Sequence, residues 1–416
     1  MKKIIQRLSP KMIVFGLTGF AAFCLGIIFV CISNHLAGKP DTQKMAQRWA
    51  PKGGASQVSC FFSRDADFTE ESILYFEHAL DKALEEASIV SESENESARL
   101  WADAYSATGK VTIMSNKASI EVSAVGVGGD FFLFHPLKLL TGSYFSGSDV
   151  MQDYIVIDED AAWQLFGSND VAGQIVTISG IPHIIAGVIE REEGRLAEEA
   201  GLNASVAYVS YTTLSQYGVD YGLNTYEIVM PNPVTGYARN YVAENIGITE
   251  NEVEVVENST RYSLVSRFKL LMQFGTRSMN GKAIIYPYWE NIARGYEDIL
   301  GLLLVLMTLA FLYPAVLLII LLVIAWKHKT WTVKSVWEKV KDKIDRFREK
   351  RWAAKKRKKE NAGLQKEGKE KQKKEKTKKE KKPKREKKPK QAKHLFGKKS
   401  EIDAGNHEEE SYEKVE

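Results

Sequence analysis

Few residues in this sequence have both the type and the spacing that chemistry needs. Asp158, Glu159 and Asp160 line up three carboxylates, His78, His135 and His183 offer imidazoles, and Cys60 offers a thiol. Each has a plainer reading. Asp158 fits a helix N-cap, with Glu159 and Asp160 in the first turn, where free N–H groups and the helix dipole favour negative charge, and Gly167 closes the helix. The histidines are far apart, with no H-x-x-x-H pair and no cysteine ligands beside them, so they are expected to be hydrogen-bonded structural residues. Cys60 is expected to be a buried filler.

Nucleophile and phosphate motifs fail as well. "TGSYFSGS", residues 141–148, lacks the G-x-S-x-G elbow. "GTRSMNGKA", residues 275–283, has five residues ahead of Gly281-Lys282 where a phosphate loop has four, and Ala283 stands where Ser or Thr would hold magnesium. The sequence therefore predicts no enzyme, no cofactor and no metal centre.

The elements that position these residues begin with two apolar runs. Met12–Ile32 is free of charge for 21 residues and Ile299–Trp326 for 28, and each is long enough to cross a bilayer. No small-residue cleavage site follows the first run, which reads as an uncleaved anchor. Lys2, Lys3, Arg7 and Lys11 precede the first run, and Lys327, Lys329 and Lys334 follow the second, which predicts both termini on the cytoplasmic side. Charge is partitioned accordingly. Residues 1–11 carry +4 and residues 327–416 carry +17, which against a whole-chain net charge of +4 leaves −17 between them. With one cysteine outside the apolar runs, the outer segment has no internal disulfide and relies on its core.

Residues 33–298 read as an α+β domain. A stalk or linker over 36–49 breaks early at Gly38-Lys39-Pro40. Thr69 caps a helix carrying Ile73, Phe76, Leu80 and Leu84, and "VTIMSNKASIEVSAVGV" is a strand pair around Asn116-Lys117. Strands follow at "YIVID", "QIVTIS", "HIIAGVIE", "SVAYVSY", "TYEIVM" and "EVEVVE", with a charged loop over 191–199 and a helix over 233–245. Trp289, Ile292 and Tyr296 form a stripe that extends the second run outward as a stalk helix, and Pro314 is expected to kink that run.

"DFFLFHPLKLLTGSYFS" and "YIVIDEDAAWQLFGSNDVAGQIVTISGIPHIIAGVIE", followed by "SVAYVSYTTL", resemble the periplasmic core of MacB-type ABC transporter permeases, of the FtsX-like permease family. The resemblance covers roughly 100 residues, from Asp130 onward, in both words and order. It implies a MacB-like periplasmic core between two transmembrane helices. The chain departs from the family in having no apolar run after Trp326, so the last two family helices are missing from it.

Partner surfaces are predicted at three places. Thr18, Ala22 and Gly26 form a small-residue face, for another chain's helix or for this chain's own second run. Val333, Val336, Trp337, Val340, Ile344 and Phe347 give a basic amphipathic helix within 327–353, suited to an anionic inner leaflet. Residues 354–416 are Lys/Glu-rich, too polar to bury a core, and are expected to form a disordered solvated tail with lipid affinity; nucleic-acid binding is not expected, since aromatics are nearly absent. The expected function is a non-catalytic permease-like or accessory subunit of an ABC transporter, served by an ABC ATPase subunit and an FtsX-like permease on separate chains. The alternative is an anchored extracellular binding or sensing module whose basic tail reports to lipid or a partner.

Overall fold

The computed structural model describes residues 10–89, 98–147, 149–277, 282–327, 337–338 and 340–356. Helix α1 (Pro10–Ala37) is apolar along its length and stops at Gly38, before Pro40, whose ring and missing N–H cannot continue it. A 3-10 turn (Asp41–Gln43) and short helix α2 (Met45–Trp49) replace a continuous stalk. Strand β1 (Ala55–Phe62) comes next, unannounced in the sequence because seven of its eight residues are buried and no polar/apolar alternation marks it. Helix α3 (Glu70–Glu86) is capped by Thr69, whose side chain accepts from Ser72 N at 3.4 Å, and its buried stripe is Ile73, Phe76, Leu80 and Leu84.

The hairpin β2 (Ala102–Met114) and β3 (Ser119–Gly129) leads into one-turn helix α4 (Phe131–Phe134), β4 (Leu139–Gly142) and β5 (Tyr154–Asp158). Helix α5 (Glu159–Phe166) ends at Gly167 with φ 77°, a left-handed conformation that glycine adopts at no steric cost. After β6 (Ile175–Ile178) and β7 (Ile181–Ile189), the charged segment contains a short helix, α6 (Arg195–Glu199), where the sequence suggested only loop. Strand β8 (Val206–Ser210), helix α7 (Tyr211–Tyr217) and strand β9 (Val219–Pro231) follow. Helix α8 (Tyr237–Asn245) begins four residues later than Pro233, behind Gly236 at φ 85°. The chain continues through β10 (Val253–Glu257), α9 (Leu264–Met272) and α10 (Phe274–Arg277) into the 40-residue helix α11 (Tyr288–Lys327), which runs on through Pro314.

The strands form one ten-stranded sheet ordered β10-β1-β9-β2-β3-β8-β5-β7-β4, with β6 between β2 and β7. The β3·β8 and β5·β7 pairs are parallel, the others antiparallel. Side chains alternate between the two faces of this mixed α+β domain. One face packs Val58, Cys60, Tyr226 and Ile228 against α3, α5, α7 and α8. The other packs Val127, Val156, Tyr208 and Val229 against Met45, Phe131, Phe134 and, from the start of α11, Trp289 and Ile292. A stalk helix thus supplies part of the core.

The described residues from 325 onward form a unit of their own. Residues 340–356 are helical, and Trp337, Val340, Ile344 and Phe347 are exposed. Val333, Val336 and residues 357–416 lie outside the described residues, as do residues 1–9.

Candidate functional site

Helix α11 begins where Pro287 has no N–H to lose, and its first three turns set Glu290, Ala293, Arg294 and Glu297 at helical spacing beneath the sheet. Arg261, just after the Asn258–Thr260 turn that ends β10, reaches into this helix. Its guanidinium donates to both Glu290 oxygens, at 2.6 and 2.7 Å, and its Nε donates to Glu297 at 2.6 Å. Arg261 also donates to Gln43 Oε1 at 3.1 Å, in the turn that follows α1. One buried guanidinium therefore ties together the sheet edge, the turn that follows the first long helix and two positions two turns apart on the second.

The geometry is a bidentate fork, the strongest form of the Arg–carboxylate contact. Arg261 and Glu290 are 3% and 1% exposed, so desolvation opposes both charges. Burial pushes the Glu290 carboxyl toward neutrality, but Arg261 and Arg294 outweigh it and hold it below the ordinary carboxylate range. Burial likewise opposes the Arg261 charge, and Glu290 and Glu297 overcome it. Arg294 donates from Nε to Glu290 at 2.8 Å and lies 3.7 Å over the Tyr286 ring.

A second set of polar contacts crosses the sheet beside this clamp. His135 pairs through Nε2 with Glu227 of β9 and lies between Phe131, stacked at a centroid distance of 4.4 Å, and Trp289, tilted at 4.6 Å. Ser59 Oγ donates to Glu227 at 2.7 Å and accepts from Asn258 Nδ2 at 2.6 Å. Asn258 opens the turn leading to Arg261, and Trp289 precedes Glu290. The contacts close a ring: helix α11, His135, β9, β1, Arg261 and back to α11. On its open side lies a cleft of about 440 Å³, lined by Lys39, Asp41, Lys138, Glu192, Tyr288 and Tyr296 among others.

The two long helices also meet within their apolar runs. Thr18 Oγ1 is 2.8 Å from Tyr313 Oη, and the Phe23 and Phe311 rings pack edge to face at 5.7 Å. A methyl added at Gly26 would sit 2.8 Å from the Phe311 ring, and one at Gly19 would sit 3.0 Å from Leu317. The face bearing Thr18, Gly19, Ala22 and Gly26 therefore turns toward this chain's own α11.

The other sequence candidates do not assemble. Asp158 accepts from Ala161 N and Val206 N, both at 2.8 Å, and Glu159 and Asp160 bind the backbone and side chain of Arg191. Burial raises the Asp158 pKa, against those two backbone bonds. His183 is buried between Ile181 O at 3.0 Å and Thr213 Oγ1 at 3.2 Å, and burial lowers its pKa. His78 is exposed on α3, a correction to the expectation that all three histidines are structural. Cys60 is fully buried, and burial first, then Glu227, raise its thiol pKa. Lys282, the lysine of "GTRSMNGKA", donates to Val253 O at 2.7 Å and pairs with Glu254 at 3.0 Å, while residues 278–281 lie outside the described residues. Among the described residues no group of three or more His, Cys, Asp or Glu is arranged to hold a metal.

Sequence reasoning missed Arg261, Gln43, Glu227, Glu290 and Glu297. Two signals were present. Glu227 is a lone charge inside the apolar strand "TYEIVM", and Glu290, Arg294 and Glu297 repeat at i, i+4 and i+7 beside the apolar stripe.

Residues 51–244 match the MacB-like periplasmic core domain family. Over 104 residues the chain is 28% identical to the macrolide export ATP-binding/permease protein MacB of Chromobacterium violaceum, covering 24% of this chain and 15% of that protein. Over 110 residues it is 31% identical to MacB of Agrobacterium fabrum, covering 26% and 16%. The match thus spans about a sixth of these relatives' own length. Among solved structures, the periplasmic region of MacB from Actinobacillus actinomycetemcomitans aligns at 15% identity and TM-score 0.35, over 56% of this chain and 97% of that one. The extracellular domain of the ABC-type transporter YknZ from Gram-positive bacteria aligns at 18% identity and TM-score 0.32, over 48% and 99%.

Proposed function

We propose that this chain, whose residues 51–244 match the MacB-like periplasmic core domain family, is a non-catalytic, permease-like or accessory subunit of an ABC transporter assembly. In this reading residues 12–32 and 299–326 cross the plasma membrane, residues 33–298 lie outside it, and residues 1–11 and 327–416 lie in the cytoplasm. An ABC ATPase and an FtsX-like permease on separate chains supply the motion, and α1 and α11 carry it to the outer domain. The helix at 327–353 rests on anionic lipid of the inner leaflet through Trp337, Val340, Ile344 and Phe347.

The observation that carries this reading is the Arg261 clamp. A domain merely tethered by its helices needs only flexible linkers. Here Glu290 and Glu297 of α11 are bonded to a buried guanidinium at the sheet edge that also holds Gln43 in the turn after α1, which supports a reading in which displacement of α11 is passed to the domain rather than absorbed by a loop.

The test is affinity purification of the tagged full chain from its native membrane in mild detergent. Co-recovery of an ABC ATPase and a four-span permease is the expected result. Recovery of neither would favour the anchored binding or sensing module and overturn the transporter reading.

A further inference from the structure

Helix α9 is amphipathic in the wrong sense for a helix in water. Leu264, Val265, Phe268 and Met272, with Phe274 just beyond the helix, are each between 61% and 75% exposed. On a helical wheel the four helix residues occupy one continuous arc, bordered by exposed Lys269 on one edge and half-buried Leu271 on the other, while the far side holds buried Arg267 and half-buried Leu270. A surface helix normally shows water its polar side. This one shows its apolar side.

Its position explains the inversion. Arg267 Nη1 donates to Ser33 Oγ at 2.6 Å, both residues buried, and Ser33 immediately follows the first apolar run. On the other flank Leu270 lies against α11 at Gly301, where a methyl would sit 3.0 Å from Leu270 Cδ2, and Gly301 is the third residue of the second apolar run. Helix α9 therefore braces both long helices at the level where their apolar runs meet the outer domain. Ile32, Ile299 and Leu302, at the outer ends of the two apolar runs, are exposed as well.

We propose that α9 is an interfacial helix that lies in the outer leaflet, seating Leu264, Val265, Phe268, Met272 and Phe274 among the upper acyl chains and placing Lys269 at the headgroup phosphates. The depth suits a helix lying in the plane of the interface, and the lysine stem can reach the phosphates from the edge of the arc. Through Arg267 and Leu270 the helix fixes the height and tilt of the domain above the bilayer. The inference rests on the reading of α1 and α11 as membrane spans.

The experiment uses the full chain with Cys24→Ala and Cys31→Ala, reconstituted in vesicles of phosphatidylethanolamine and phosphatidylglycerol. Nitroxide labels are placed singly at Phe268→Cys, Met272→Cys, Leu302→Cys and Tyr75→Cys, and collision with molecular oxygen is compared with collision with a water-soluble nickel chelate. The expected result is oxygen preference at 268 and 272, shallower than at 302, with nickel preference at 75. Nickel access at 268 and 272 equal to that at 75, with 302 still in lipid, places α9 in water and overturns the proposal. Protection of 268 and 272 from both reagents means that protein covers the face, as in a second copy of the chain, and also overturns it. Nickel access at 302 instead overturns the spans themselves.

Discussion

The two faces of the outer sheet are closed by different physics. On the α3 face, Phe76, Leu80, Leu165, Leu214 and Val242 seal the strands with apolar contacts, most of them from helices that belong to the domain alone. On the opposite face the lid includes the start of α11, and between the apolar residues run His135–Glu227–Ser59–Asn258 and the Arg261 clamp. Apolar burial is non-directional and tolerates sliding, whereas a bidentate ion pair fixes both angle and register. The α3 face makes a stable domain. The stalk face attaches that domain to two helices in one orientation.

This contrast can be broken from either side. The largest effect is expected from Arg261→Met, which leaves Glu290 buried without its principal partner; removing one member of a buried pair costs about 3–5 kcal/mol. Denaturant unfolding of the full chain in detergent should show that loss, and Arg261→Met with Glu290→Met should recover most of it. Recovery would separate the unpaired charge from a general packing defect. Leu80→Ala on the other face should cost about 2–5 kcal/mol through a cavity. Yet it should leave amide-exchange protection over residues 288–299 unchanged, because it does not touch the clamp.

Gly26→Leu should weaken pairing of the long helices by roughly 1–3 kcal/mol, since the side chain must displace the Phe311 ring. Cross-linking of Thr18→Cys to Tyr313→Cys with a short bifunctional thiol reagent reads this directly, with a lower cross-linked fraction expected in the Gly26 variant. A further effect is one of slope. Burial, and next the neighbouring Glu77, raise the Asp103 pKa to about 8, so its penalty is absent below the unfolded value near pH 4 and grows as pH rises toward 8. Glu290, held low, contributes stability that is present above its unfolded value near pH 4 and is lost as pH falls through its folded value. Asp103→Asn should therefore flatten the decline of stability between pH 5 and pH 8, while Glu290→Gln should lessen the acid-side loss below pH 4; unfolding free energies across that range check both.

Much of the fold was legible because its signals are local. The Thr69 cap, the Asp158 cap with Gly167 behind it, and the alternation of β2 and β3 each depend on residues within a few positions of one another. Strand β1 was invisible because it is buried on both sides and carries no alternation. The joint was invisible for a different reason: Arg261 lies 29 residues from Glu290 and 218 from Gln43, and nothing local pairs them. Glu227 and His135, 92 residues apart, meet only because β9 and the segment after α4 share a face of the sheet. Local chemistry specifies caps and turns, but an ion pair closed across the sheet follows from topology. The inverted exposure of α9 could likewise be read only once Ser33 and Gly301 were seen on either side of it.

The central claim is that a buried guanidinium makes the first turns of α11 one rigid body with the sheet. Hydrogen–deuterium exchange of the full chain in lipid nanodiscs, comparing wild type with Arg261→Gln, tests it most directly. The account predicts that protection falls together over residues 288–299 and 253–257 and stays unchanged over residues 70–86. Unaltered protection at 288–299 in the variant would show that the helix is held by its apolar stripe alone, and would contradict the clamp.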